Sequence, residues 1–163
     1  MKPNILNPFS TLLFGLLLGA VARLLDIYTQ NLGNIFSQLA IWILLGVLIA
    51  VYSRTRKLAM LNVLLFCLGM VFTYYLTAIL THGVYGRSFI IGWTVFALCS
   101  PVFAYFAWMT KLSGFLPKVI ALGIVSVSVL STVVLFDRLR FYDFVINAAL
   151  IYVLFFAKVR RTA

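Results

Sequence analysis

Side chains able to move protons, hold metals or attack a substrate are scarce in this chain. It has three Asp, one His and two Cys, no Glu, and thirteen Lys and Arg. What is present is locally spaced. Arg23 stands three residues before Asp26, and Arg140 three before Asp143. At that spacing, side chains on a helix meet and neutralise one another. Asn147 follows Asp143 by one helical turn and shares its face. His82 stands beside Gly83. Such a set suits binding the polar groups of a small solute better than acid–base catalysis, which leans on carboxylates and imidazoles in number. The expected ligand-binding residues are Asp26, Arg140, Asp143 and Asn147, with His82 over the mouth. A metal centre needs three or four ligands at recognisable spacing. His82, Asp26 and Asp143 are too sparse for that, so no metal and no cofactor is expected. Cys67 and Cys99 lie in apolar runs without a CxxC pair, and read as small packing residues.

The elements that must position these residues are set by composition. The chain has 163 residues, 64% hydrophobic and 10% charged, with a mean hydropathy of +1.13. A soluble domain is about 45–50% apolar and about 25% charged, so a water-soluble globule and a disordered chain are both excluded. A membrane-spanning helix takes about 20 apolar residues. The expectation is therefore a single all-α domain over residues 1–163, a polytopic transmembrane helical bundle of six spans at about 9–28, 34–52, 58–80, 88–110, 115–136 and 141–157. The continuous Leu/Ile/Phe-rich runs lack the period-two polarity of barrel strands. Gly and Pro punctuate most joints, while the joint at Asp137–Arg140 has neither. Pro101 falls inside the fourth span and should kink it.

Basic residues set the expected orientation. Six spans put both tails on one side, with Lys2, Arg54, Arg56, Lys57, Lys111, Lys118, Lys158, Arg160 and Arg161. The other side holds Arg23, Arg87, Arg138 and Arg140. The expected location is the cell membrane, with both termini cytoplasmic. The net charge of +10 is then a topology signal, and contact with anionic lipid headgroups follows more naturally than nucleic-acid binding, which needs a basic face on a soluble fold. Ala20-Val21-Ala22 fits a signal-peptide cleavage site, but Arg23 and Asp26 follow directly, and the first span is read as retained.

Helical spacing then assigns faces. Thr11, Gly15, Gly19, Ala22 and Asp26 form one narrow stripe in the first span, and Gly15-x-x-x-Gly19 permits close backbone approach. Asn62, Gly69, Thr73 and Thr77 form a similar stripe in the third. Gly15, Gly19, Ala22 and Gly69 are the expected helix-packing residues, and the Gly15/Gly19 face is a docking surface for a membrane-protein partner. Every acid and the His lie toward the non-cytoplasmic ends. Two readings of that clustering stand: an outward-facing polar pocket between spans one, three and six, or two local ion pairs at the headgroup boundary.

Three resemblances bear on function. The stretch from Leu135 through Asp137 to Asp143-Phe144-Val145-Ile146 locally resembles lipoprotein signal peptidases, which pair two carboxylates. The likeness is short. Val134-Leu135 stands where that family has Gly-Asn, no acid follows Asn147, and on a helix Asp137 and Asp143 point about 240° apart. No enzyme is expected. Trp42 to Thr55, Ala59 to Val63, Gly69-Met70 and Tyr74-Tyr75-Leu76 resemble a family of small six-span bacterial membrane proteins to which no activity is assigned. The span pattern is also similar to the substrate-binding S components of energy-coupling-factor vitamin transporters. That architecture implies capture of a small solute from the outer side and docking through Gly15-Leu16-Leu17-Leu18-Gly19. The functional expectation is a solute-binding or transport-associated membrane protein, the alternative a non-catalytic accessory subunit of a larger membrane complex.

Overall fold

The computed structural model describes residues 6–29, 35–36, 38–82, 86–136 and 139–159. Among these the chain is all-helical, with six helices: α1 Pro8–Tyr28, α2 Leu39–Tyr52, α3 Arg56–Leu80, α4 Arg87–Met109, α5 Phe115–Phe136 and α6 Phe141–Ile151. A π-helical turn, Tyr152–Phe156, continues α6. The ends follow local chemistry. Asn7 and Ser10 form a reciprocal capping box on α1, with Asn7 Oδ1 accepting from the Ser10 N–H at 2.8 Å and Pro8 in the first turn. Thr55 Oγ1 accepts from the Leu58 N–H at 3.2 Å and starts α3. Both use the side-chain oxygen to answer an N–H that the helix leaves unpaired.

Six helices stand in the expected order, but they are unequal. Pro8–Tyr28, Arg56–Leu80, Arg87–Met109 and Phe115–Val134 are long and apolar enough to cross a membrane. The second is shorter than expected, and the sixth, Phe141–Phe156 with its π turn, fills its expected run but is below the length of the other four. Helix α2 has 14 residues, a rise of about 21 Å against a hydrocarbon core of about 30 Å. It starts at Leu39 instead of near residue 34 because Gln38 is extended (φ −89°, ψ 139°). The turn before it is tied on by Trp42, whose indole N–H donates to the Phe36 carbonyl at 2.8 Å. In the sixth, the α-helix ends at Ile151 and the ladder widens, with the Ala157 N–H bonded to the Tyr152 carbonyl at 2.9 Å.

Burial explains how a short α2 is accommodated. It packs against α3, α4, α5 and α6 and buries Ala40, Trp42, Leu44, Val47, Ile49, Ala50 and Val51. A helix apolar on all sides belongs in the middle of a bundle. The outer surface is the reverse of a soluble protein's: Phe9, Phe115 and Phe141 are 76%, 82% and 84% exposed. An apolar surface so extensive fits hydrocarbon and not water.

The most extensive contact is α1 on α3. The two run parallel, with Gly15 against Phe66 and Gly19 against Met70 and Thr73. A Cβ on Gly15 would collide with the Phe66 carbonyl, and one on Gly19 with that of Met70. From the other side, a Cβ on Gly69 would stand 3.0 Å from the Leu12 carbonyl oxygen. Ala22 is fully buried. The expected packing residues thus work inside the chain. A partner docking through the Gly15/Gly19 face would first have to displace α3. Thr11, Gly15, Gly19, Ala22 and Arg23 are buried, while Asp26 is exposed. At 100° per residue Asp26 falls about 60° from Thr11, between Gly15 at about 40° and Gly19 at about 80°, so it keeps the face of the stripe. It is exposed at the helix end, two residues before α1 stops at Tyr28.

This contact separates the glycines into two kinds. Gly15→Ala and Gly19→Ala should each destabilise the detergent-solubilised protein by about 1–3 kcal/mol, as overpacking does. A Cβ on Gly92 or Gly123 meets nothing within 4 Å. Alanine there should be neutral or stabilising by up to about 1 kcal/mol, through helix propensity alone. Unfolding titrations of the four variants in one detergent check the split.

Candidate functional site

The bundle has two chemically distinct ends. Helices α1, α3 and α5 begin at a basic end, where Arg54, Arg56, Lys57, Lys111, Lys118 and Lys158 lie. At the opposite, acid-bearing end stand Arg23, Asp26, His82, Arg140 and Asp143.

At the acid-bearing end the predicted residues divide into two groups. Arg23 reaches inward from α1 and donates to Asp26 Oδ2 at 2.7 Å. Its guanidinium lies over the Tyr74 ring, 5.6 Å from the centroid, and the Tyr74 hydroxyl bonds both partners, at 3.5 Å to Arg23 and 3.4 Å to Asp26. The pair therefore ties α1 to α3. The second group sits where α6 begins. Asp143, fully buried, accepts the Arg140 backbone N–H on Oδ2 at 2.7 Å, and the Asn147 amide donates to the Asp143 carbonyl at 2.8 Å. The Arg140 guanidinium donates to the Tyr142 hydroxyl, and Gln38 of α2 reaches the same hydroxyl at 3.5 Å. The side chains of Gln38, Asp143 and Asn147 each keep a buried oxygen, Oε1, Oδ1 and Oδ1, with no hydrogen-bond partner among the described residues.

The structure thus unites Arg140, Asp143 and Asn147, adds Gln38, and puts Asp26 in a separate group with Arg23 and Tyr74. Helix α1 is not among the principal neighbours of α6. His82 is exposed just past the end of α3, at φ 51°, the left-handed position that often closes a helix. It belongs to neither group. Asp137 and Arg138 lie outside the described residues. No group of three metal-binding side chains occurs among the described residues.

The basic end is organised by Lys111, a residue the sequence marked only as topological charge. Its ammonium donates to the carbonyls of Val153, Leu154 (3.0 Å) and Ala157 (2.9 Å). These are the oxygens of the π-helical turn, the negative end of the α6 dipole. The contact spans more than forty residues of chain, so no local pattern could have shown it. Nearby, Asn62 donates to Ser53 Oγ at 3.0 Å, and the Trp108 indole donates to the Ser53 carbonyl at 3.2 Å. One serine at the end of α2 thereby joins α3 and α4.

Between the ends, α2, α3, α4 and α5 enclose a cleft of about 350 Å³. Its walls are almost wholly apolar, including Trp42, Phe96, Phe103, Ile124 and Val127. Two wall residues differ. Ser100 is 2% exposed; its hydroxyl meets the Cys67 thiol of α3 and has no stronger hydrogen-bond partner among the described residues. Gly123 leaves its part of the wall open. Pro101 follows Ser100 within α4, and its missing N–H deprives the Ala97 carbonyl of its helical donor. The sequence signal, a serine before a mid-helix proline, was legible, but a space shared by four helices was not.

Over residues 2–161 the chain matches the family described as a family of unknown function (DUF6518). No curated protein and no solved structure matches it.

The role of Lys111 is testable by itself. Lys111→Met keeps the stem and removes the charge. It should cost about 1.5–3 kcal/mol, the range for hydrogen bonds to a charged group. Amide exchange at residues 153–157 should rise first, because their turn loses its tether. Unchanged exchange there would show that the π turn holds without the lysine.

Proposed function

We propose that this chain, which belongs to the DUF6518 family of unknown function, is a membrane protein that binds a small, largely apolar molecule between α2, α3, α4 and α5. In this reading all six helices span the bilayer, and both tails are cytoplasmic. The excess of cations at the end where α1, α3 and α5 begin supports that orientation. The short second and sixth helices are tolerable because neighbouring helices enclose them, and backbone away from lipid can be satisfied within protein.

One observation carries the binding reading: a cleft of about 350 Å³ whose apolar wall holds one buried hydroxyl, Ser100, answered only by the weakly bonding thiol of Cys67. Ligand sites have about this size and this mixture, apolar walls giving affinity and a few polar groups giving orientation. The matching ligand is a hydrocarbon body bearing one hydroxyl or carbonyl group at the depth of Ser100. A ligand's polar group would also improve the serine's hydrogen bonding, since a thiol is a weak partner for a buried hydroxyl. Such a molecule enters from the bilayer, so binding needs neither a water-filled mouth nor a charged site.

A second reading rests on the other cluster. Three buried acceptor oxygens without donors, on Gln38, Asp143 and Asn147, suit a donor-rich polar solute at the outer side. Asp143 and Asn147 would then bind it, with Arg140 close by.

The two readings separate by mutation. Gly123→Phe puts a ring into the cleft from a wall position where a Cβ meets nothing within 4 Å. Lipid-soluble compounds retained through purification, identified by mass spectrometry, should include one that the wild type holds and Gly123→Phe lacks. Ser100→Ala should weaken its retention about fivefold, the worth of one hydrogen bond of about 1 kcal/mol. Asp143→Asn should leave retention unchanged. Identical compounds in wild type and Gly123→Phe would refute the cleft reading. Loss on Asp143→Asn alone would favour the polar one.

A further inference from the structure

A second cavity, of about 450 Å³, lies at the basic end between the α4–α5 turn and the π-helical end of α6. Lys111, Lys118 and Lys158 line it, with Ser113 and Gly114 at the turn. Three lysines around one cavity need counter-charge. The acids among the described residues, Asp26 and Asp143, are both at the other end of the bundle. Lys111 is answered by the carbonyls of the π turn. That contact has a second consequence. It neutralises the negative end of the α6 dipole, which would otherwise repel an anion from the cavity. Lys118 and Lys158 are exposed, and neither has a carboxylate partner among the described residues. The cavity is therefore positively charged and lined by protein on two sides.

Its rim says which anion fits. Phe155 and Phe156 line the cavity and are 45% and 68% exposed. Leu112, Phe115 and Leu116 are also exposed beside the same turn. A phosphate free in water gains nothing from an apolar skirt, whereas a phosphate carried on acyl chains does. Basic pockets between membrane helices are the usual receptors for anionic headgroups. We propose that this lysine-lined cavity holds the phosphate of an anionic phospholipid, with Lys118 and Lys158 as its charge partners and the Phe155–Phe156 edge against its chains. The inference is independent of the apolar cleft, which is lined within α4 by residues 96–107 and by a different set of α5 residues.

The test uses the full chain in detergent, with phosphatidylglycerol, phosphatidylcholine and inorganic phosphate as separate additives. Phosphatidylglycerol should raise the unfolding midpoint above that reached with phosphatidylcholine, and inorganic phosphate should not. The double variant Lys118→Gln/Lys158→Gln should bind phosphatidylglycerol roughly thirtyfold more weakly, at about 1 kcal/mol for each basic residue near an anionic lipid. Arg54→Gln, which removes a charge at the same end but outside the cavity, should leave the difference in place. Equal midpoints with the two lipids would overturn the proposal, as would equal losses in the double variant and in Arg54→Gln. A rise with inorganic phosphate matching that with phosphatidylglycerol would assign the site to free phosphate and overturn the lipid.

Discussion

Lipid removes the usual reason for two helices to touch, because hydrocarbon is as good a neighbour for leucine as another leucine is. Close packing has to supply the reason, and here it does so through Gly15 and Gly19 of α1 and Gly69 of α3. Here the carbonyls of Phe66, Met70 and Leu12 press directly on the glycines. Dispersion contacts then accumulate over a long parallel interface that lipid tails cannot match. Once α1 is fixed on α3, Arg23 is placed to cross to Tyr74, and Asp26 to neutralise it. Helix α3 in turn packs on α4 and α2, so one close backbone contact sets the frame for the rest.

The polar groups follow a complementary rule: each is placed where leaving it unanswered would cost most. The end of α6 is a widened turn whose carbonyls would otherwise face an apolar surrounding, and Lys111 answers three of them. The end of α2 is answered by Asn62 and Trp108 through Ser53. The start of α6 is answered by Asp143. These are junction contacts, and they tie short elements to long ones. That is how α2, about 21 Å long, can hold the centre of a bundle in which α1, α3, α4 and α5 are longer.

Much of this was legible in the sequence. Six apolar runs, their order and the Gly15/Gly19/Gly69 packing set follow from hydropathy and residue size, which are local properties. The Arg23–Asp26 pairing follows from i,i+3 spacing. Other features were not legible, for identifiable reasons. Asp26 shares the face of Thr11, Gly15 and Gly19 as the spacing predicts, but it is exposed because α1 ends two residues later at Tyr28, and periodicity does not show where a helix end stands against its neighbours. The run that begins near residue 34 is broken at Gln38 by an extended backbone that no Gly or Pro announces. The grouping of Gln38 with Asp143 joins residues that are a hundred positions apart, and spacing carries no information at that range.

The scarcity of acids has a structural meaning that bears on where chemistry can occur. Asp26 is held by Arg23 and Tyr74, and Asp143 caps the helix that it begins. Both carboxylates described are thus part of the scaffold, and removing either would loosen a helix before it changed a site. Two spaces in the protein lie away from them. One is apolar and lies beside Ser100, and the other is basic and lies at the end opposite the two described acids. A chain with so few carboxylates cannot balance its lysines internally, nor can it fill a 350 Å³ cleft with its own side chains when Gly123 forms part of the wall. Each space has the chemical complement of a different part of a membrane lipid or lipid-soluble molecule, the hydrocarbon body in one case and the phosphate in the other. In a bilayer such molecules are the surrounding solvent, so both sites would face their ligands at high local concentration, and affinity need only be modest.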